Sequence, residues 1–200
     1  MVTSRLSHLA LKTRPLHWHA GNIYAPNLQK QLADLISLAA DQNMSDQIIL
    51  VGGSAGGFAS LILATLLPNS TALVWNPQTD LRRYHKSFVD QYERLAWRGK
   101  FPQGDGLPIF SAVSLYAEAG TQARVLYLQE LSDEHHVTTH LAPFKKAVEN
   151  KPGVYFYESR WGEGHTPAPK PLVKEFIQMI IDKSSEEDLT KRGFTQVKTK

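Results

Sequence analysis

The stretch Gly52-Gly53-Ser54-Ala55-Gly56-Gly57 places one hydroxyl among glycines, directly after the apolar run Ile48–Val51 and directly before a segment with helical character. A G-x-S-x-G turn between strand and helix holds its serine in a strained backbone conformation and lifts the hydroxyl above the sheet. Glycines are expected two residues before and after the serine, where a side chain would collide with neighbouring backbone. The amide of Ala55 then falls at a helix N-terminus, where a developing oxyanion is stabilised. The chemistry such a serine performs is attack on an acyl carbonyl. Two phosphate-binding readings fail. A G-x-G-x-x-G fingerprint ending at Gly56 would need glycine where Val51 stands, and a Walker A loop would need Lys where Phe58 stands.

A nucleophilic serine needs a base, and the base needs an orienting acid. The apolar run Arg124–Gln129 leads into Glu130-Leu-Ser-Asp133-Glu-His-His136, and Val154–Glu158 leads into Ser159-Arg-Trp161-Gly-Glu-Gly164-His165. Ser54, Asp133 and His165 therefore each follow a strand, and the carboxyl ends of parallel strands gather on one rim. Asp80 is the rival acid, but it is better placed to cap the next helix. Glu163, beside His165, reads as a surface residue. His136 and His140 are four apart and could join Asp133 or His135 on a metal; the favoured expectation is a helix start with solvent-facing imidazoles and no metal. His17 and His19 form an H-x-H pair that shapes a loop or pocket, and His85 reads as surface. Gly53, Phe58, Trp75 and Trp161 are candidates for an acyl pocket, weighed against plain core positions for the aromatics.

These residues are positioned by alternating strands and helices. Expected strands are Leu6–Lys12, Gln47–Val51, Ala72–Trp75, Arg124–Gln129 and Val154–Glu158. Helical spacing runs through Asn27–Asp41, Ala55–Leu67, Leu81–Trp97, Ile109–Ala119, Val137–Asn150 and Pro171–Asp182, with Gly99–Pro108 as a loop. Near-continuous apolar strands alternating with helices mean a mostly parallel sheet covered on both faces, an α/β/α three-layer sandwich of about five strands. Residues 1–182 form one domain, 80–120 a cap or lid segment, and 183–200 a polar, flexible tail.

The chain has 200 residues, an ordinary 42% hydrophobic and 20% charged content, and a net charge of +3. Its basic residues are scattered, which argues against a nucleic-acid partner. The absence of cysteine removes disulfides, zinc-thiolate and iron–sulfur sites and a thiol nucleophile. No apolar run reaches the length of a membrane span, and the start lacks a signal-peptide pattern. A cytoplasmic product without membrane association is the corresponding expectation if Met1 is the native start.

Together, Gly52–Gly57, Asp133 and Gly164-His165 resemble the α/β-hydrolase family over about Gln47–Asp182. The wider pattern, with Val74-Trp-Asn-Pro-Gln-Thr-Asp80 and Asp133…His136…His140…Pro143-Phe144, looks like bacterial hydrolase domains found with cell-surface polysaccharide genes. The resemblance implies a minimal α/β-hydrolase fold, hydrolysis of a small-molecule or glycan-linked carboxylic ester through Ser54, His165 and Asp133, and no cofactor. The chain departs from the family at its front, where one strand precedes the nucleophile strand instead of several. If Leu6–Lys12 lies beside the nucleophile strand, the second oxyanion donor would come from Thr13–Asn22, with His17 and Trp18 the candidates beside Ala55; if that strand is instead the one that immediately precedes the elbow in family order, the oxyanion loop is absent. A shortened sheet would expose an edge that a homodimer could cover. Two alternatives stay open: a catalytically weak hydrolase-like binding module, and an acyltransferase acting on a surface glycan.

Overall fold

The computed structural model describes residues 18–102, 108–118, 121 and 123–198. The expected strand Leu6–Lys12 and His17 lie outside the described residues. Within them, four parallel strands follow one another across a single sheet: β1 (Ile48–Gly53), β2 (Ser70–Trp75), β3 (Arg124–Glu130) and β4 (Val154–Ser159), in the spatial order β1-β2-β3-β4. The register pairs Gly53 with Trp75, Trp75 with Leu128, and Glu130 with Ser159, so all four strands end on the same rim.

Helices cover both faces, because alternate residues of each strand are apolar in both directions. Ala72, Val74, Val125, Tyr127 and Phe156 face one cluster, which includes Phe58, Leu61 and Ile62 of α2 (Ser54–Leu66). Leu73, Leu126, Leu128 and Tyr155 face the other, completed by Phe176 and Ile180 of α7 (Lys170–Ile181). Five consecutive residues of α2, Ser60 to Ala64, are buried. The middle of the helix therefore has no solvent face: the sheet lies on one side, and α1 (Leu28–Gln42) and α4 (Ala112–Ala117) pack on the other.

Among its described residues, the segment expected as a cap holds a 3₁₀ turn (Leu81–Arg83), α3 (Lys86–Trp97) and α4. Asp80 opens the 3₁₀ turn by accepting a hydrogen bond from the Arg82 amide, the capping role expected of it. The helical stretch after β3 begins at α5 (Glu134–His136), widens into a π turn over Val137–Leu141 and closes as α6 (Ala142–Ala147).

The C-terminal segment differs from the loose tail its composition suggests. Residues 183–198 contain α8 (Glu186–Lys191), whose start is a reciprocal capping box between Ser185 and Asp188. Leu189 and Phe194 are buried against α7 and β4. Thr195 forms an antiparallel bridge to Phe156, with amide-to-carbonyl distances of 2.8 and 2.9 Å in the two directions. Two apolar anchors are enough to fasten a segment that is otherwise charged. Among the described residues, no helix is long and apolar enough to cross a membrane.

Candidate active site

Ser54 is the first residue of α2 and has φ of +52°, a left-handed conformation that L-residues adopt at a cost of about 1–3 kcal/mol. The turn is possible because of glycine, though not at every position the motif suggests. A Cβ on Gly52 would lie 2.5 Å from the Gly56 backbone, and one on Gly57 would lie 2.7 Å from Pro77 Cβ. A Cβ on Gly56 would meet nothing within 4 Å. The close approaches that demand glycine are thus at 52 and 57, not at 56. Gly53 needs its missing side chain for another reason: the Trp75 indole, its neighbour across the β1–β2 register, occupies that space.

His165 follows β4 and Asp133 follows β3. The two meet through a 2.6 Å hydrogen bond between His165 Nδ1 and Asp133 Oδ2. Asp133 is buried while the His165 ring is partly exposed, which leaves its Nε2 as the nitrogen available to other groups. Ser54 and His165 line one pocket of about 240 Å³, together with Gly53, Trp75, Asn76 and Pro167. Ser54 Oγ is not hydrogen-bonded to His165 but accepts a 2.7 Å hydrogen bond from Gln78 Nε2. Ala55 lies in the first turn of α2, where backbone amides lack intrahelical acceptors.

Other candidates fall elsewhere. Phe58 is fully buried in the core and does not line the pocket, and Trp161 packs on the α7 face with its indole N–H on the Thr166 carbonyl. Trp18 is buried and reaches the site through its side chain, whose Nε1 donates to Gln78 Oε1 at 3.2 Å. His85 is exposed, as expected, and stacks on His135 at 4.2 Å between centroids.

The imidazoles after Asp133 correct the solvent-facing expectation: His136 and His140 are buried. The helix they begin is capped by Asp133, which accepts from the His136 amide at 3.2 Å. His136 Nδ1 lies 2.9 Å from Asp133 Oδ2, and its ring stacks on His165 at 4.2 Å. His140 Nδ1 accepts from the Thr79 amide, and the Thr79 hydroxyl donates to the His140 carbonyl; these contacts clamp the β2 loop to the π turn. Burial pushes His136 down to about 4, helped by the neighbouring His165, and pushes His140 down to about 3, helped by His136. Burial alone would raise the Asp133 carboxyl, but the hydrogen bond from His165 and the adjacent His136 hold it below the usual range. Among the described residues, Asp133, His136 and His165 form a set that could hold a cation, each offering a ligand atom within 4.8 Å of the others; His140 is not part of it. In the structure two of those atoms, Asp133 Oδ2 and His165 Nδ1, bond to one another.

No protein-family profile matches the chain, and no curated protein matches it by sequence. Solved structures do match by shape. A capsule O-acetyltransferase of Neisseria meningitidis serogroup A superposes with a TM-score of 0.58 at 16% identity, covering 82% of this chain and 67% of its own. A puromycin hydrolase S511A mutant superposes with a TM-score of 0.56 at 16% identity, covering 82% of this chain and 26% of its own. The fold is that of the α/β-hydrolases. Four described strands, rather than about five, make up its sheet here.

Within this α/β-hydrolase fold, three residues that motif spacing did not indicate brace the rim. Asn76, at φ of +40°, donates through Nδ2 to the Thr166 carbonyl and accepts at Oδ1 from the Glu130 amide. It thereby ties the loop carrying His165 to the end of β3. Buried Glu130 accepts from the amides of Ser132, Trp161 and Gly162, joining the Asp133 loop to the His165 loop. Burial would raise its carboxyl, but these amide donors and the Ser132 hydroxyl lower it. Gln78 is the third, held against Ser54 twice: its amide nitrogen donates to the Ser54 carbonyl at 3.3 Å, and its side chain donates to the hydroxyl.

Proposed function

We propose that this chain is a serine hydrolase that cleaves carboxylic esters of short acyl groups through an acyl-enzyme intermediate. The observation that carries the reading is the 2.6 Å Asp133–His165 hydrogen bond beside a serine held at positive φ in the same pocket. Because Gln78 donates to Ser54 Oγ, the serine's own proton is not committed to Gln78 and is free to pass to a base. His165 Nε2 takes that proton as Oγ attacks the acyl carbon. Asp133 holds the imidazole tautomer and stabilises the imidazolium, and its depressed pKa keeps it ionised throughout. His165 returns the proton to the leaving alkoxide, and water repeats the sequence on the acyl-enzyme.

The acyl group is proposed to be short because the pocket, at about 240 Å³, falls below the roughly 300–1,000 Å³ of sites for drug-sized ligands. A second reading, transfer of the acyl group to a sugar hydroxyl, is favoured by the likeness to a capsule O-acetyltransferase and by the exposure of His165 at the pocket mouth. The two readings share every step up to the acyl-enzyme and differ only in the acceptor.

The test is labelling by a fluorophosphonate and hydrolysis of p-nitrophenyl acetate by wild type and Ser54→Ala. Both signals are expected in the wild type and neither in the variant. Equal signals in the two proteins would refute the reading.

A further inference from the structure

We infer that the Gln78 side chain is a catalytic oxyanion donor, taking the place of one of the two backbone amides that usually bind the oxyanion in acyl transfer. The inference rests on the serine-hydrolase reading above. Gln78 follows β2, on the same rim as Ser54, Asp133 and His165, and is 1% exposed. Its Nε2 lies 2.7 Å from Ser54 Oγ.

The orientation of its carboxamide is not arbitrary. The Trp18 indole nitrogen can only donate, so the group facing it must be the Gln78 oxygen. That assignment turns the NH₂ group toward Ser54. A flipped amide would set two donors against each other at the indole and leave no donor for Oγ. Trp18 is itself fixed by edge-on packing against Tyr92, with centroids 4.9 Å apart, and Tyr84 at 6.2 Å. The amide is therefore held rigidly before any substrate arrives, which is the condition under which a hydrogen-bond donor stabilises a transition state without reorganising.

The position suits an oxyanion. In the tetrahedral intermediate only the former carbonyl carbon separates the oxyanion from Oγ, so a carbonyl whose oxygen enters on the Gln78 side of Oγ brings that oxygen toward the Nε2 donor that touches Oγ in the free protein. As the Oγ–C bond forms, the carbonyl π pair moves onto oxygen and the Oγ proton passes to His165 Nε2. Gln78 Nε2–H and the Ala55 amide then share the new negative charge. When the intermediate collapses, the pair returns to the C–O bond and the alkoxide leaves with the proton from His165. Trp18 acts through Gln78 and is a positioning residue.

The test compares wild type with Ser54→Ala, Gln78→Ala, Gln78→Glu and Trp18→Phe on p-nitrophenyl acetate and on methylboronic acid, which forms a tetrahedral adduct with the serine. Gln78→Glu keeps the side chain's shape and its oxygen toward Trp18 while replacing the amide donor, and far-UV circular dichroism of every variant reports whether it folds. Losing one oxyanion donor is expected to lower kcat by about 10²–10³-fold with little change in KM, and to weaken the boronate adduct by a similar factor. Trp18→Phe is expected to show a smaller loss of the same kind. Gln78→Glu turning over at the wild-type rate, or losing only KM, while Ser54→Ala is inactive would overturn the inference and leave the hydrolase reading intact. Activity in Ser54→Ala would overturn the reading itself.

Discussion

Two buried imidazoles make the stability of this protein depend on pH well above the carboxylate range. In the folded chain His136 titrates near 4 and His140 near 3, against 6.5 for an unperturbed imidazole. Above pH 6.5 both are neutral in either state and contribute no pH dependence. As the pH falls through 6.5, the unfolded chain binds a proton at each site and the folded chain does not, so unfolding is favoured progressively. The effect on each site ends only when the pH passes its folded value. Between pH 7 and 5 the linkage integral is about 2 kcal/mol per histidine, or about 4 kcal/mol for the pair. That is a large part of a typical stability of about 5–15 kcal/mol. Lowered carboxylates such as Asp133 and Glu130 work in a separate window: their stabilisation is present above their unfolded values and is lost only below about pH 4.5. Urea unfolding followed by tryptophan fluorescence should therefore show a midpoint lower by about 2 M at pH 5 than at pH 7, taking a slope of about 2 kcal/mol per M. His140→Asn, which can keep an acceptor for the Thr79 amide, should remove about half of that difference. A midpoint unchanged between pH 7 and 5, or an undiminished difference in the variant, would refute the burial argument.

Two further outcomes follow from packing. Gly57→Ala should destabilise the chain, because its Cβ would press on the Pro77 ring, whereas Gly56→Ala should leave thermal stability unchanged or raise it by up to about 1 kcal/mol through helix propensity; paired melting curves check the contrast, and the reverse order would contradict the elbow geometry described above. Phe194→Ala should cost about 3–5 kcal/mol, since Phe194 is buried against Phe176 and Tyr157 in the second core cluster, and a melting temperature within a degree of wild type would show that the C-terminal segment is not part of the folded unit.

The candidate site residues legible in the sequence share a property: each lies in the connection that follows an apolar strand. Ser54, Asp133 and His165 could be picked out individually because strands have a readable pattern and parallel strands share a rim. Their order along the sheet is simply their order along the chain. The residues that brace them have no such signature. Asn76 reaches Glu130 across 54 positions and Thr166 across 90, and Glu130 reaches Trp161 across 31. Single polar side chains in loops carry no period from which such pairings could be inferred. Gln78, in the run after β2, carries no such signature either, since its carboxamide is oriented by an indole 60 positions earlier.

The errors have physical causes of the same sort. His136 and His140 looked like a solvated pair because i, i+4 spacing says nothing about what lies over a helix. Tyr84, just after the 3₁₀ turn, and Thr79 from the β2 loop close over them, and the π turn departs from the 3.6-residue period that i, i+4 spacing assumes. The tail looked loose because its average composition is polar, yet Ser185-Glu-Glu-Asp188 spells a capping box and Leu189 and Phe194 are spaced to reach one cluster. Average composition is thus the wrong statistic for a short segment: two anchors and one capped turn outweigh the eight charged residues of 183–200. The same reasoning applies to the site. A serine's neighbours in sequence set its backbone, but its hydrogen bonds depend on which buried polar group from another part of the chain is aimed at it, and at Ser54 that group is the carboxamide of Gln78.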